Sequence, residues 1–126
     1  MAQTCATGQH DDHDVYSEQC PCRMLLDLLA NKWAALVIGL LDDGPVRFGK
    51  LKSQLPGISP KMLTRTLRQL ESAALVSRTV FPDVPPRVEY ALTDLGESAA
   101  YPLGLLRTWA EENIDRIAAL NPQWAS

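Results

Sequence analysis

Apolar positions fall at helical intervals in five stretches of this chain and alternate with polar ones in a sixth. Leu25, Leu26 and Leu29 face one side of a first helix that Pro21 opens and that runs to about Ala30, with Cys20 at its N-cap. Asn31 and Lys32 lead into a second helix. Its Trp33, Leu36, Val37, Leu40 and Leu41 have the spacing of a core-facing stripe. Asp42-Asp43-Gly44-Pro45 ends it with a turn. A short extended Val46-Arg47 precedes a third helix from about Phe48 to Leu55, with Phe48, Leu51 and Leu55 buried and Arg47, Lys50 and Lys52 outside.

Leu55-Pro56-Gly57-Ile58 then turns into a fourth helix, for which Ser59 is a preferred N-cap and Pro60 suits the first helical position. Leu63, Leu67, Leu70 and Ala74 form its apolar back, and Lys61, Thr64, Arg65, Arg68 and Ser72 its front. Two helices joined by a tight glycine-bearing turn predict a helix-turn-helix. Leu75 to Phe81 and the alternating Arg87 to Leu92 read as the two strands of a hairpin, separated by a proline-rich loop. That hairpin is a wing, spanning about residues 75–92. Thr93 caps a last helical region, which Pro102 should kink or interrupt near Tyr101. Beyond it, Leu106, Trp109, Ala110, Ile117 and Leu120 make an apolar face over about 103–120 that needs a second surface, most simply the same helix of another subunit. The fold class is mainly α with a small β-hairpin: one winged helix-turn-helix domain over 18–126 with dimerisation helices at both ends, after a flexible acidic tail over 1–17.

Charge sharpens the picture. The 126 residues carry a net −3, but Gly44 to Val80 holds seven cations and one anion, a net +6, leaving −9 elsewhere. A basic centre between acidic ends favours an anionic partner such as double-stranded DNA. No apolar run is long enough to span a membrane, and the N-terminus lacks the basic and apolar regions of a secretory signal, so a cytoplasmic protein is expected.

The odd number of cysteines, Cys5, Cys20 and Cys22, argues against a disulfide-stapled fold. At a helix N-cap the dipole favours the thiolate, so Cys20 has a chemical rationale as a reactive thiol, and Cys22 in the first turn shares part of it. A Cys20–Cys22 bridge would close a tight ring, which favours an intersubunit bond if any disulfide forms. The alternative for Cys20 is plain packing at a helix start. His10 and His13 lie near these cysteines in sequence. Cys20-x-Cys22, however, lacks the C-x₂₋₄-C spacing of zinc sites, so neither a metal nor another cofactor is expected.

Several short pieces in order resemble the HxlR-type family of bacterial winged-helix transcriptional regulators. They include Cys20-Pro21, Lys32-Trp33, Gly44-Pro45-Val46-Arg47-Phe48, Leu55-Pro56-Gly57-Ile58-Ser59-Pro60, Pro86-Arg87-Val88-Glu89-Tyr90 and Leu92-Thr93-Asp94-Leu95-Gly96. The resemblance covers roughly Cys20 to Ile117. It implies a homodimer, a repressor by expectation, on a pseudo-palindromic operator, with the fourth helix in the major groove and the wing alongside. Family members that sense oxidants, quinones or other electrophiles use a cysteine placed as Cys20 is, which implies release from DNA on oxidation or alkylation of Cys20. Ala73-Ala74 replaces the family's usual Ala-Gly, at a cost of about 1 kcal/mol to the helix C-cap.

On this reading Lys61, Thr64, Arg65 and Arg68 face base edges, with Ser59 at the helix mouth, while Lys50, Lys52, Arg78 and Arg87 hold phosphate. Arg78 and Arg87 have an alternative as ion-pair partners of Glu89 or Asp83. Other readings are a small-molecule pocket between dimer helix and DNA-binding core near Trp33 and Trp109, or a protein-interaction module on the same fold. An enzyme is not expected, because no base is placed by sequence to activate a thiol.

Overall fold

The computed structural model describes residues 13–125, so Cys5 and His10 lie outside the described residues. Helices α1 (Pro21–Leu29) and α2 (Lys32–Leu41) come first, then strand β1 (Val46–Arg47) and α3 (Phe48–Ser53). The fourth helix is α4 (Pro60–Ser72), followed by β2 (Val76–Phe81), β3 (Arg87–Leu92), the long α5 (Asp94–Leu120) and a short 3-10 turn, Pro122–Trp124. Residues 13–19 turn back towards α1. The Asp14 carbonyl accepts from Ser17 N at 3.0 Å, its carboxylate from Tyr16 N at 3.0 Å, and the Ser17 carbonyl from Cys20 N at 3.2 Å.

The core is built by α2, α3 and α4, closed on one side by the start of β2 and on another by α5. In α2 the buried positions are Ala34, Val37, Ile38 and Leu41, while Trp33, Leu36 and Leu40 pack at its margin. The stripe is rotated from the expected one because the small Ala34 lets neighbouring elements approach where a tryptophan would hold them off. In α1 Leu29 packs against the core as expected, joined by Leu28, whereas the expected inward Leu25 and Leu26 are exposed.

The hairpin gains a third strand. Val46 pairs with Tyr90 and Arg47 with Glu89, so the sheet order is β1-β3-β2, all antiparallel. Helix α5 continues through Pro102 for 27 residues, so of the expected kink or interruption the proline does not interrupt it. Proline removes one intrahelical hydrogen bond, whereas the preceding turns are capped by Thr93 and docked through Ala99, Ala100 and Leu103. Further along, Arg107 lies over Gly39 of α2, where an added Cβ would stand 2.7 Å from its Cζ. The rest of the helix carries its apolar residues outward: Leu105, Leu106, Trp109, Ile114 and Leu120 are exposed.

At the end of α4 the backbone closes in a Schellman motif, with Leu75 N donating to the Leu70 carbonyl and Ala74 N to that of Glu71. Ala74 therefore leaves the helical stripe in which the spacing put it and takes φ 63 on the surface. Its carbonyl accepts from Thr93 Oγ1 at 2.6 Å, and the same hydroxyl accepts from Gly96 N at 3.0 Å. Gly96 is indispensable at this junction, since a Cβ there would collide with the Leu75 carbonyl.

Candidate nucleic-acid interface

Helix α4 is set by its two ends. Ser59 is extended at the N-cap and its Oγ accepts from Met62 N at 3.0 Å, while Pro60 occupies the first turn. Just before it, Gly57 holds φ +93, a conformation that favours glycine, and this allows a sharp approach from α3. Leu63, Thr66, Leu67 and Leu70 are buried. That anchoring fixes the rotation of the helix about its axis and turns Lys61, Arg65 and Arg68 to solvent, with Thr64 half-buried between them.

Charge distinguishes this face. Among the described residues, none of Lys50, Lys52, Lys61, Arg65 and Arg68 is held in an ion pair. Lys50 is exposed and Lys52 half-buried on α3. Gln69, which the sequence reading passed over, stands on the same line as Lys61 and Arg65 at four-residue intervals and is exposed. That interval was the available signal; an amide, unlike an arginine, did not register as part of a basic face.

The wing arginines are placed differently. Arg78 Nε lies 3.7 Å from Glu71, which ties β2 to α4 but leaves Arg78 half exposed. Arg87 stacks over the Phe81 ring at 4.1 Å and has Asp83 at 3.5 Å and Glu89 at 3.6 Å from its Nε. The structure thus brings Lys61, Thr64, Arg65 and Arg68 to one groove wall, keeps Lys50 and Lys52 on α3, ties Arg78 to Glu71, and sets Arg87 between two carboxylates. Near Glu71, Arg78 and Arg68, burial is the main cause that pushes the Tyr90 phenol above its ordinary value; Glu71 adds to it and the two arginines oppose it.

A groove of about 1090 Å³ runs between α1 and α4, lined by Met24, Leu25, Asp27 and Leu28 on one wall and Lys61, Thr64, Arg65 and Arg68 on the other. The pocket expected near Trp33 and Trp109 does not coincide with it: neither tryptophan lines the groove.

The cysteines lie at the start of α1. Cys20 is its N-cap, extended at φ −83 and ψ 125, and is 1% exposed; Cys22, in the first turn, is half-buried. The two are joined as a disulfide within one chain, where the sequence favours an intersubunit bond if any disulfide forms. The extended cap followed by helical residues brings their Cα atoms to 5.3 Å, within the usual range for a bridge. Cys20 Sγ also lies 3.7 Å from His13 Nδ1.

Comparison with known proteins decides what this arrangement belongs to. Residues 28–118 match the HxlR-like helix-turn-helix family. The chain belongs to that family. It is 34% identical over 126 residues to the HTH-type transcriptional regulator YtfH of Escherichia coli K12, covering all of both chains. Among solved structures, the transcriptional regulator ytfH from Salmonella typhimurium superposes with a TM-score of 0.83 at 36% identity, covering 87% of this chain and 98% of that one. The redox regulator HypR in its oxidised form gives 0.70 at 36% identity, over 75% of this chain and 97% of its own. This HxlR-like protein is accordingly a DNA-binding transcriptional regulator with a winged helix-turn-helix. Among the described residues no single helix is long and apolar enough to cross a membrane.

Proposed function

We propose that this HxlR-like regulator binds a pseudo-palindromic operator as a homodimer and represses transcription, and that oxidation or alkylation at Cys20 releases it. The observation that carries the DNA reading is the unpaired cationic front of α4, held in a fixed orientation by a buried back and a capped start. Lys61, Thr64, Arg65, Arg68 and Gln69 address base edges in the major groove. Lys50, Lys52 and Arg78 hold phosphate, and Arg87, with two carboxylates beside it, is left to brace the wing. The exposed apolar residues of α5, with Met24, Leu25 and Leu26 of α1, support pairing of two copies about a two-fold axis.

The thiol reading rests on the Cys20–Cys22 pair. In forming it, two thiols give up two electrons and two protons to an oxidant such as a quinone, which leaves as the hydroquinone. Operator binding measured with and without oxidant tests this: the parent loses binding, and Cys20→Ser keeps it. A Cys20→Ser protein that responds like the parent would remove Cys20 from the switch.

A further inference from the structure

We infer that the reduced chain binds one thiophilic divalent cation, of which zinc is the type, through His13, Cys20 and Cys22. One ligand atom from each residue lies within 4.8 Å of the other two, and Cys20 Sγ is 3.7 Å from His13 Nδ1. An imidazole nitrogen and two thiolate sulfurs are donors of the softness zinc prefers. Metal–ligand distances of about 2.0–2.3 Å set tetrahedral donors roughly 3.3–3.8 Å apart, so opening the disulfide and small side-chain rotations bring these three into range. Among the described residues these three supply three of the four ligands of a tetrahedral site.

The cluster is built rather than accidental. His13 is far from α1 in an extended chain, and the turns over residues 14–20 return it there. Ser17 N and Cys20 N both donate to carbonyls within that segment, and Arg23 Nη1 donates to the Tyr16 carbonyl at 3.4 Å. Cys20 is buried, so one donor comes already shielded from bulk water. The Cys-x-Cys spacing argued against a metal because zinc knuckles draw both sulfurs from one loop. Here the pair straddles an N-cap, and the extended cap residue and the first helical turn together present both sulfurs to His13.

The same sulfurs form a disulfide in the structure, so metal binding belongs to the reduced state. A dithiol gives the disulfide two electrons and two protons and becomes a disulfide itself; a phosphine gives two electrons and becomes its oxide, with water supplying that oxygen and the two protons. Either leaves two thiols. The cation then binds as thiolates form, releasing those two protons to solvent. The inference shares Cys20 and Cys22 with the thiol switch but not its test, since it is measured without DNA or oxidant challenge.

The experiment titrates cobalt(II) into the full-length, phosphine-reduced protein and follows thiolate-to-cobalt charge transfer in the near ultraviolet, with zinc(II) as the displacing ion. One equivalent should bind and zinc should displace it. His13→Ala and Cys22→Ser should each weaken binding by more than the ~10–100-fold typical of losing an outer-shell partner. The oxidised protein should show no charge-transfer band. Absence of the band from the reduced parent, its persistence undiminished in either variant, or equal binding by the oxidised chain would each overturn the assignment. Circular dichroism of both variants, at helix content matching the parent, separates lost ligation from lost folding.

Discussion

Ala74 is held at φ 63 by a Schellman closure on one side and by Thr93 on the other. An L-residue in that region costs about 1 kcal/mol relative to glycine. Ala74→Gly should therefore raise the unfolding free energy by up to about 1 kcal/mol, read as a higher urea midpoint at unchanged slope. At the same junction, Gly96→Ala works in the opposite direction, because the added methyl meets the Leu75 carbonyl where two hydrogen bonds already fix the backbone. Tyr90 gives a pH signature. Its folded pKa lies above the unfolded value, so the stability it contributes is fully present below about pH 10 and is lost as pH rises through the folded value. Tyr90→Phe should flatten the alkaline fall in thermal midpoint, and an unchanged alkaline limb would assign that fall to another group.

Among the elements, α4 was the most legible in sequence because its cap, its Pro60 and its leucines are all local and agree with one another. The phase of α2 was not, since choosing between Trp33 and Ala34 as the buried position depends on what packs opposite. Strand β1 shows the same limit: two residues carry too little pattern to announce that they pair with a strand over forty positions later. Pro102 does not end α5, because the core holds the helix along its first turns. Of the alternatives the sequence offers for Arg87, the structure shows the ion pairs with Asp83 and Glu89, whereas the approach of His13 to the cysteines needs the fold. For α4 and α3 the division of labour can be measured. Arg65→Ala should cost about 1–3 kcal/mol on the operator and relax base preference at one position. Lys52→Ala should weaken operator and unrelated DNA alike and lower the salt slope by about 1. Identical losses on both DNAs for both variants would dissolve that division.

For the whole molecule, the exposed row on α5 is the largest unmet demand. Leu105, Leu106, Trp109 and Ile114 lie where a single copy leaves them in water. Leu106→Glu should convert a dimer to a monomer in sedimentation while keeping the helical circular dichroism, and should reduce operator binding to weak half-site occupancy. A monomeric parent, or a dimeric variant, would place the pairing surface elsewhere.

Strand β3 lends one edge to β1, which leads into the helix-turn-helix, and the other to β2, which follows α4. Reading helix and wing are thereby clasped to a common strand and cannot tilt separately. In a symmetric pair the two heads behave as the jaws of calipers: each jaw keeps its shape, and only the gap between them can be reset. Any signal arriving through α1 or α5 must then be written as a change in span along the duplex, felt first on operators whose half-sites are spaced least forgivingly.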